Sequence, residues 1–571
     1  MMGVVRSSPV ILALVAVVGW PMVAMVRQAT RPDDSGPGIE PAASAGPGEK
    51  VSGPGPKGEL VASARPGEII RPMGLAFETA RLVAATEAIA LPLGLALAFV
   101  LSRTDVWGRR AMVGAVGLAA FVPVPLQATA WLGGFGNAGR SQAMGLGVVL
   151  TGWSGAAFIH AMAALPWIVA IAGVGFRAVE PDLEDAARLD LPPFGVVLRV
   201  TLRRSLGAVA ASALAVAVLT AGDMSVTDLL SVRTYAEECY TQYQGGNDRR
   251  AAAVALPPLV VIGALVLLGA RALIRVDPAR VASASARARD WRLGRWRVPA
   301  GLAIAGTFGN AVALPLYSLI WQAGRVGGDA TLGEGPRWSL AGLAGTLAAT
   351  SGELFAPGLG RPMRSPMLSS LLLAGAGASA TVALAWSMAW LARGPGPWRW
   401  AAAGSAALTL AVPGPVAGMA LVVAYFDWPS VYDSNVLVVL AYVLRTLPYA
   451  LMILWPAVRM IPPTFLDAAA LEGYGPWGQA RRLGLPLTRS AIAAAWGVAF
   501  ALALGELPAT NLVAPPGTSP LSVLAWTLLH RGVESHLAGV ALVTLGAVAV
   551  AGTLAARGLA RAYAPGGKFD P

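Results

Sequence analysis

Residues 461–486 read Ile461-Pro-Pro-Thr-Phe-Leu-Asp-Ala-Ala-Ala-Leu-Glu-Gly-Tyr-Gly-Pro-Trp477 and, three residues on, Arg481-Arg-Leu-Gly-Leu-Pro486. Thr464 with Asp467 three residues later has the capping-box pattern, so a short helix is expected to start there. Ala468, Ala469 and Ala470 keep one face of it small. Gly473 and Gly475 end it, and Pro476 suits the first turn of the next helix. Apolar runs at 434–458 and 490–505 flank it. A short, narrow helix held between two membrane-crossing segments has the form needed to dock into a cleft of another protein.

The same elements occur earlier in the chain. Pro166, Arg177, Asp185, Ala186 and Ala187 precede Pro448, Arg459, Asp467, Ala468 and Ala469 by 282 residues. Pro123 and Pro125 match Pro413 and Pro415 at 290, and Gly222-Asp223 matches Gly505-Glu506 at 283. A six-helix unit has been duplicated in parallel, because six spans return the chain to the same side. The first copy of the loop departs from the second. Leu191 stands where Gly473 does and Arg203-Arg204 where Leu485-Pro486 do, with Pro192-Pro193 available to enforce the turn.

Composition agrees with a membrane protein. Of 571 residues 56% are hydrophobic and 13% charged, with a mean hydropathy of +0.61; an average soluble chain carries about 25% charged residues. Apolar windows place twelve helices, each near the length of about 20 residues that crosses a bilayer. They fall near 9–26, 76–101, 111–133, 150–175, 207–222 and 253–274, then 300–322, 366–392, 401–426, 434–458, 490–505 and 538–558. The fold expected is all-α integral membrane: two parallel-repeated six-helix halves, 1–280 and 281–571.

The net charge of +12 follows a positive-inside pattern. With the N-terminus inside, 25 Lys and Arg fall in inside segments and 15 in outside ones. Both termini are therefore expected in the cytoplasm, lipid around the spans, and no nucleic acid as partner. Residues 27–72 hold eight Pro and eight Gly and read as a disordered periplasmic tether. The Arg- and Ala-rich segment 275–299 joins the halves.

The chain has three lysines, none in a P-loop pattern, so it lacks an ATPase motif of its own. A single cysteine, Cys239, permits no intramolecular disulfide and no thiolate metal site. His530 and His536 read as solvated loop residues and His160 as a packed polar residue. Arg81, Glu87 and Arg445 fall within apolar segments, where charge is costly, and must face the bundle interior, water or each other. Asp223 and Glu506 are expected as a symmetric acidic pair at the outer mouth. With Arg445 they form either a translocation path or gate, or pairs that fix packing.

The 461–486 loop resembles the Glu-Ala-Ala motif of ABC-importer permeases, which continues to a glycine and ends near a Leu-Pro pair. Asp467 stands at the Glu position, Ala468 and Ala469 at the alanines and Gly473 at the glycine. Asp185, Ala186 and Ala187 form the first copy. The resemblance implies the type I permease fold in a bacterial inner membrane, and coupling helices seated on a separate ATPase dimer that carries ATP and Mg. It also implies a periplasmic substrate-binding protein and no cofactor on this chain. Ser102–Arg110, Tyr442–Tyr449 and Gly505–Thr510 look like segments of the fused permeases for ferric iron and thiamine. Ferric iron is thus the first expected cargo, with thiamine or another small solute behind it. An ion-coupled secondary transporter and a membrane scaffold are the alternatives from other classes. Paired coupling loops without an ATPase motif favour the importer.

Overall fold

A computed structural model describes residues 9–30, 72–137, 139–274, 290–326, 337–355, 365–531 and 534–562. The first half comprises α1 (Pro9–Thr30), α2 (Pro72–Arg103), α3 (Arg109–Ala119), α4 (Val124–Phe135), α5 (Gly152–Arg177), α6 (Pro181–Ala187), α7 (Pro193–Arg204), α8 (Leu206–Gly222), α9 (Ser225–Leu229), α10 (Tyr235–Gln244) and α11 (Asp248–Ile274). The second comprises α12 (Arg297–Ala323), α13 (Leu340–Phe355), α14 (Pro366–Leu391), α15 (Pro397–Ala411), α16 (Gly414–Tyr425), α17 (Asn435–Arg459), α18 (Pro463–Leu471), α19 (Pro476–Leu487), α20 (Arg489–Leu504), α21 (Thr510–Val513), α22 (Leu521–Arg531) and α23 (Glu534–Ala562). A two-residue antiparallel ladder pairs β1 (Arg325–Val326) with β2 (Arg337–Trp338) before α13.

Among the described residues eight helices are long and apolar enough to cross a membrane, and four bent pairs bring the number to twelve. The bends correct the expectation of straight spans over 111–133 and 401–426: α3 and α4 meet at 104°, α15 and α16 at 108°. Proline explains both. Pro123 and Pro413, each with an extended ψ, occupy the breaks, lacking the N–H that would continue the ladder. A broken helix leaves a carbonyl that hydrocarbon cannot solvate. In the first half the Val122 carbonyl accepts from Gln127 Nε2 at 3.1 Å. In the second the equivalent Val412 carbonyl accepts from Arg445 Nη1 at 2.7 Å. The short windows at 207–222 and 490–505 are likewise completed by flanking helices, α7 onto α8 at 69° and α19 onto α20 at 73°.

Each half packs alike, α2 against α5 and α8, α14 against α17 and α20. The first helix of each half crosses over. α1 lies on α16, where the Trp20 indole donates to the Ala424 carbonyl and Tyr425 Oη to the Ala16 carbonyl, both at 2.8 Å. α12 lies on α4, its Gln322 and Ser318 filling the notch at Gly133 and Gly134. The halves are thus interlocked rather than abutted. Trp167 and Tyr449, equivalents at the 282-residue repeat, meet with ring centroids 5.6 Å apart, which puts the fourth spans of the two halves across a pseudo-two-fold axis.

The tether of 27–72 needs trimming: α1 runs to Thr30 and α2 begins at Pro72, and 31–71 lies outside the described residues, as does the expected boundary at 280. Of the joining segment 275–299, residues 290–299 are among those described and 275–289 lie outside them.

Candidate functional site

At the centre of the bundle, each helix break of one half rests on the acidic turn of the other. A Cβ added at Gly505 would lie 2.8 Å from Pro123 Cβ, and one at Gly222 3.7 Å from Pro413 Cα. The void lined by Pro123, Gly505, Leu507, Ser522 and Trp526 holds about 20 Å³, room for about one water molecule.

The carboxylates at these turns do not form an acidic pair with free oxygens. Asp223 accepts from Ser225 Oγ at 2.6 Å and from the Val226 amide at 2.9 Å, capping α9. Glu506 accepts from the Ala509 and Thr510 amides at 3.1 and 2.9 Å and from Thr510 Oγ1 at 2.6 Å. Orphan amides at the start of a short helix buried in the bundle require such acceptors. Each carboxylate also faces a basic side chain from the fourth span of its own half: the His160 imidazole Nε2 is 3.8 Å from Asp223, and the Arg445 guanidinium Nε 3.8 Å from Glu506. Arg81 pairs with Glu78 on its own helix at 3.6 Å and lies over the Trp153 ring. Glu87 has no ion pair among the described residues.

The repeated loops are short helices, as expected, but their anchors differ. α18 starts at Pro463 behind the Pro462 cap, and no side chain caps it, so the Thr464–Asp467 capping box is not formed. The helix begins one residue before Thr464, so the Thr464 hydroxyl stands inside the first turn and cannot act as the N-cap that the box requires. Gly473 has φ +82°, and the Tyr474 and Gly473 amides return to the Ala469 and Ala470 carbonyls at 2.9 and 3.0 Å, a glycine-terminated end. Three successive alanines cannot share one face: Ala469 is buried, Ala468 and Ala470 exposed. α6 ends without a left-handed residue, and Pro192 caps α7 in extended conformation.

Behind α6 lies a buried ion pair. Arg103 and Glu184 are 0% and 2% exposed and joined side chain to side chain. Arg103 Nη1 donates to the Phe176 carbonyl and Thr201 Oγ1 to Glu184 Oε1, both at 2.7 Å. At the equivalent places the second half has Arg393, Leu466 and Gly484. There Arg393 lies over Trp390 at 4.1 Å, Trp390 stacks on Trp386, the Trp386 indole donates to Thr488 Oγ1 at 3.0 Å, and Gly484 admits the Trp390 ring. Charge holds one loop and aromatic stacking the other. Both Thr201 and Gly484 end π-turns, Val197–Thr201 and Ala480–Gly484.

Three large apolar side chains per loop point outward at matching repeat positions: Leu183, Leu189 and Phe194 in the first, Phe465, Leu471 and Trp477 in the second. Sequence reading missed these and Glu184; the repeat offset, 282 for the first two pairs and 283 for Phe194 and Trp477, was the signal that would have found the exposed triads.

A second contact between halves lies where α9, α10 and α22 meet. His530 Nε2 is 3.1 Å from Asp228 Oδ2, and Asn511 Nδ2 donates to Tyr240 Oη at 2.9 Å. His530 and His536 are therefore not simply solvated; His536 pairs with Glu353 at 3.0 Å. The hydrogen bond to Asp228 raises the His530 pKa, and burial lifts the Glu237 carboxyl nearby to about 7. Both groups bind a proton more tightly folded than unfolded. Their stabilisation is fully present below their unfolded values and is lost as pH rises through the folded ones. Purified protein should therefore lose thermal stability as pH rises from about 4.5 through about 7 on account of Glu237, and further above about 6.5 on account of His530, with a shallower slope above about pH 6.5 in His530→Gln. Equal slopes would remove His530 from the account.

No protein-family model matches the chain. It is 28% identical over 160 residues to the putrescine transport system permease protein PotI of Escherichia coli, covering 27% of this chain and 56% of that protein. Over 144 residues it is 27% identical to the putative 2-aminoethylphosphonate transport system permease protein PhnV of Salmonella typhimurium, covering 25% and 53%. These relatives are permeases. The chain spans about half the length of the curated relatives it matches, and the matched share of this chain, about a quarter, is less than one of its two halves.

Proposed function

We propose that this chain is the permease subunit of an ATP-driven importer of the bacterial inner membrane. It docks a separate ATPase through α6 and α18 and takes solute from a binding protein. The observation that carries this reading is the duplicated set of outward apolar residues on the two loops. Leu189, just past the end of α6, is 86% exposed and Leu471, the last residue of α18, 91%, at equivalent repeat positions, as two equivalent clefts on a partner would require.

For cargo, we infer a small organic amine. Putrescine and 2-aminoethylphosphonate, the solutes that name the relatives, share a primary amine on a short carbon chain. Ferric iron was expected from the resemblance alone; the Asp223 and Glu506 oxygens that would suit it as hard ligands are engaged by backbone amides and hydroxyls. The test is uptake of labelled putrescine, 2-aminoethylphosphonate, ferric iron and thiamine by cells with and without the gene. Loss of amine uptake is expected, together with the same loss in the double variant Leu189→Glu, Leu471→Glu. Loss of iron or thiamine uptake alone would replace the cargo while keeping the class. Wild-type uptake by the double variant would end the docking assignment.

A further inference from the structure

The segment that joins the halves does more than connect them. Trp291 forms a parallel bridge with Thr104: its amide donates to the Arg103 carbonyl at 2.6 Å, and its carbonyl accepts from the Asp105 amide at 3.2 Å. Asp105 in turn accepts from the Leu293 amide at 2.8 Å through Oδ1, and its carbonyl accepts from Arg297 Nε at 2.7 Å. The Trp107 amide donates to the Arg297 carbonyl at 3.2 Å. Residues 290–297 thus form a strap laid along the turn between α2 and α3.

The strap also holds the chain on either side of α6, at Arg177 before it and Arg188 just after it. Asp290 sits between Arg109 at 2.7 Å and Arg177 at 3.4 Å, the last residue of α5 before the loop. On the far side of α6, Arg188 lies 4.5 Å over the Trp291 ring, whose edge meets Phe99. A cation over an indole is among the stronger contacts of its kind. In the second half the corresponding turn, Arg393-Gly394-Pro395-Gly396, has no strand beside it among the described residues; the Trp455 indole meets it at the Ala392 carbonyl.

We propose that Asp290 and Trp291 are positioning residues for α6. They fix the first docking helix to the start of α12, so that displacement of α6 becomes displacement of the second half's first span. This rests on the permease reading. It also makes the two docking sites unequal, the first strapped across the halves and the second held within its own half.

Two measurements on the full chain test it. In hydrogen exchange on purified protein, Trp291→Ala and Asp290→Asn should raise exchange across 181–191 at least tenfold while leaving 463–473 unchanged. Trp291→Phe, which keeps a ring for Arg188, should recover most of the protection. In membranes holding the ATPase, single cysteines at Ala186 or Ala468 in a Cys239→Ser background report cross-linking to that subunit. Trp291→Ala should cut the yield at Ala186 at least fivefold and spare Ala468. Unchanged exchange at 181–191, or equal change at both loops, overturns the proposal. So does raised exchange with undiminished cross-linking at Ala186. If neither loop cross-links in the unsubstituted chain, the ATPase-docking reading and the positioning role fall together, and the exchange result then decides only whether the strap exists.

Discussion

Glu184→Ala is expected to destabilise the first half by about 3–5 kcal/mol, because it leaves the Arg103 guanidinium buried without its counter-charge. Arg103 is fully buried, and its other fixed partner is one carbonyl, that of Phe176. Water cannot reach it to compensate. Replacing both members, Arg103→Met with Glu184→Leu, should recover most of the loss, since an apolar pair of similar volume is often neutral or better. Recovery will be partial, because the Phe176 carbonyl near the C-terminus of α5 loses its donor. The second half offers the internal precedent: Leu466 already stands at the Glu184 position. The measurement is thermal unfolding of the three purified variants beside the parent chain. A harmless Glu184→Ala, or a double variant no better than the single, would show that the ion pair does not hold α6.

The second large effect is expected at Gly505. Its backbone is not left-handed, so alanine is conformationally permitted there; the obstacle is space. The new Cβ would fall onto the Pro123 ring, which belongs to the other half and sits in a rigid helix break. Neither a proline ring at a fixed φ nor the turn that holds Glu506 can yield without moving a span, and overpacking of this kind costs about 1–3 kcal/mol. Gly222→Ala, where Pro413 lies at ordinary contact distance, should cost little by comparison. Unfolding temperatures of the two variants decide it. Equal effects, or a milder one at Gly505, would mean that the halves do not close through Pro123.

Much of this architecture could be read from residue order. Twelve apolar windows, the 282-residue repeat and the two alanine-bearing loops follow from local chemistry: apolar length, helix-ending glycine and duplicated motifs. Pro123 and Pro413 were visible as a repeated pair, yet their effect, a bend beyond 100° inside a span, was not. A proline in a membrane helix can kink it or break it, and the choice depends on what satisfies the freed carbonyl. Here the donors are Gln127 and Arg445, the second 33 residues away.

The same reasoning separates the charged residues. The sequence shows that Asp223, Glu506 and Arg445 lie in or beside apolar segments and must have partners. It does not show that the carboxylates cap the helices that follow them, because that depends on amides placed by a turn. Nor can local pattern reveal that Glu184 meets Arg103, 81 residues away, or that Trp291 docks beside Thr104. Sequence alone determined the membrane class, the duplication and the position of the two repeated loops, because those depend on periodicity and composition along the chain. Only the tertiary structure decided what anchors each loop and how the halves close, because those depend on which side chains meet across distant segments.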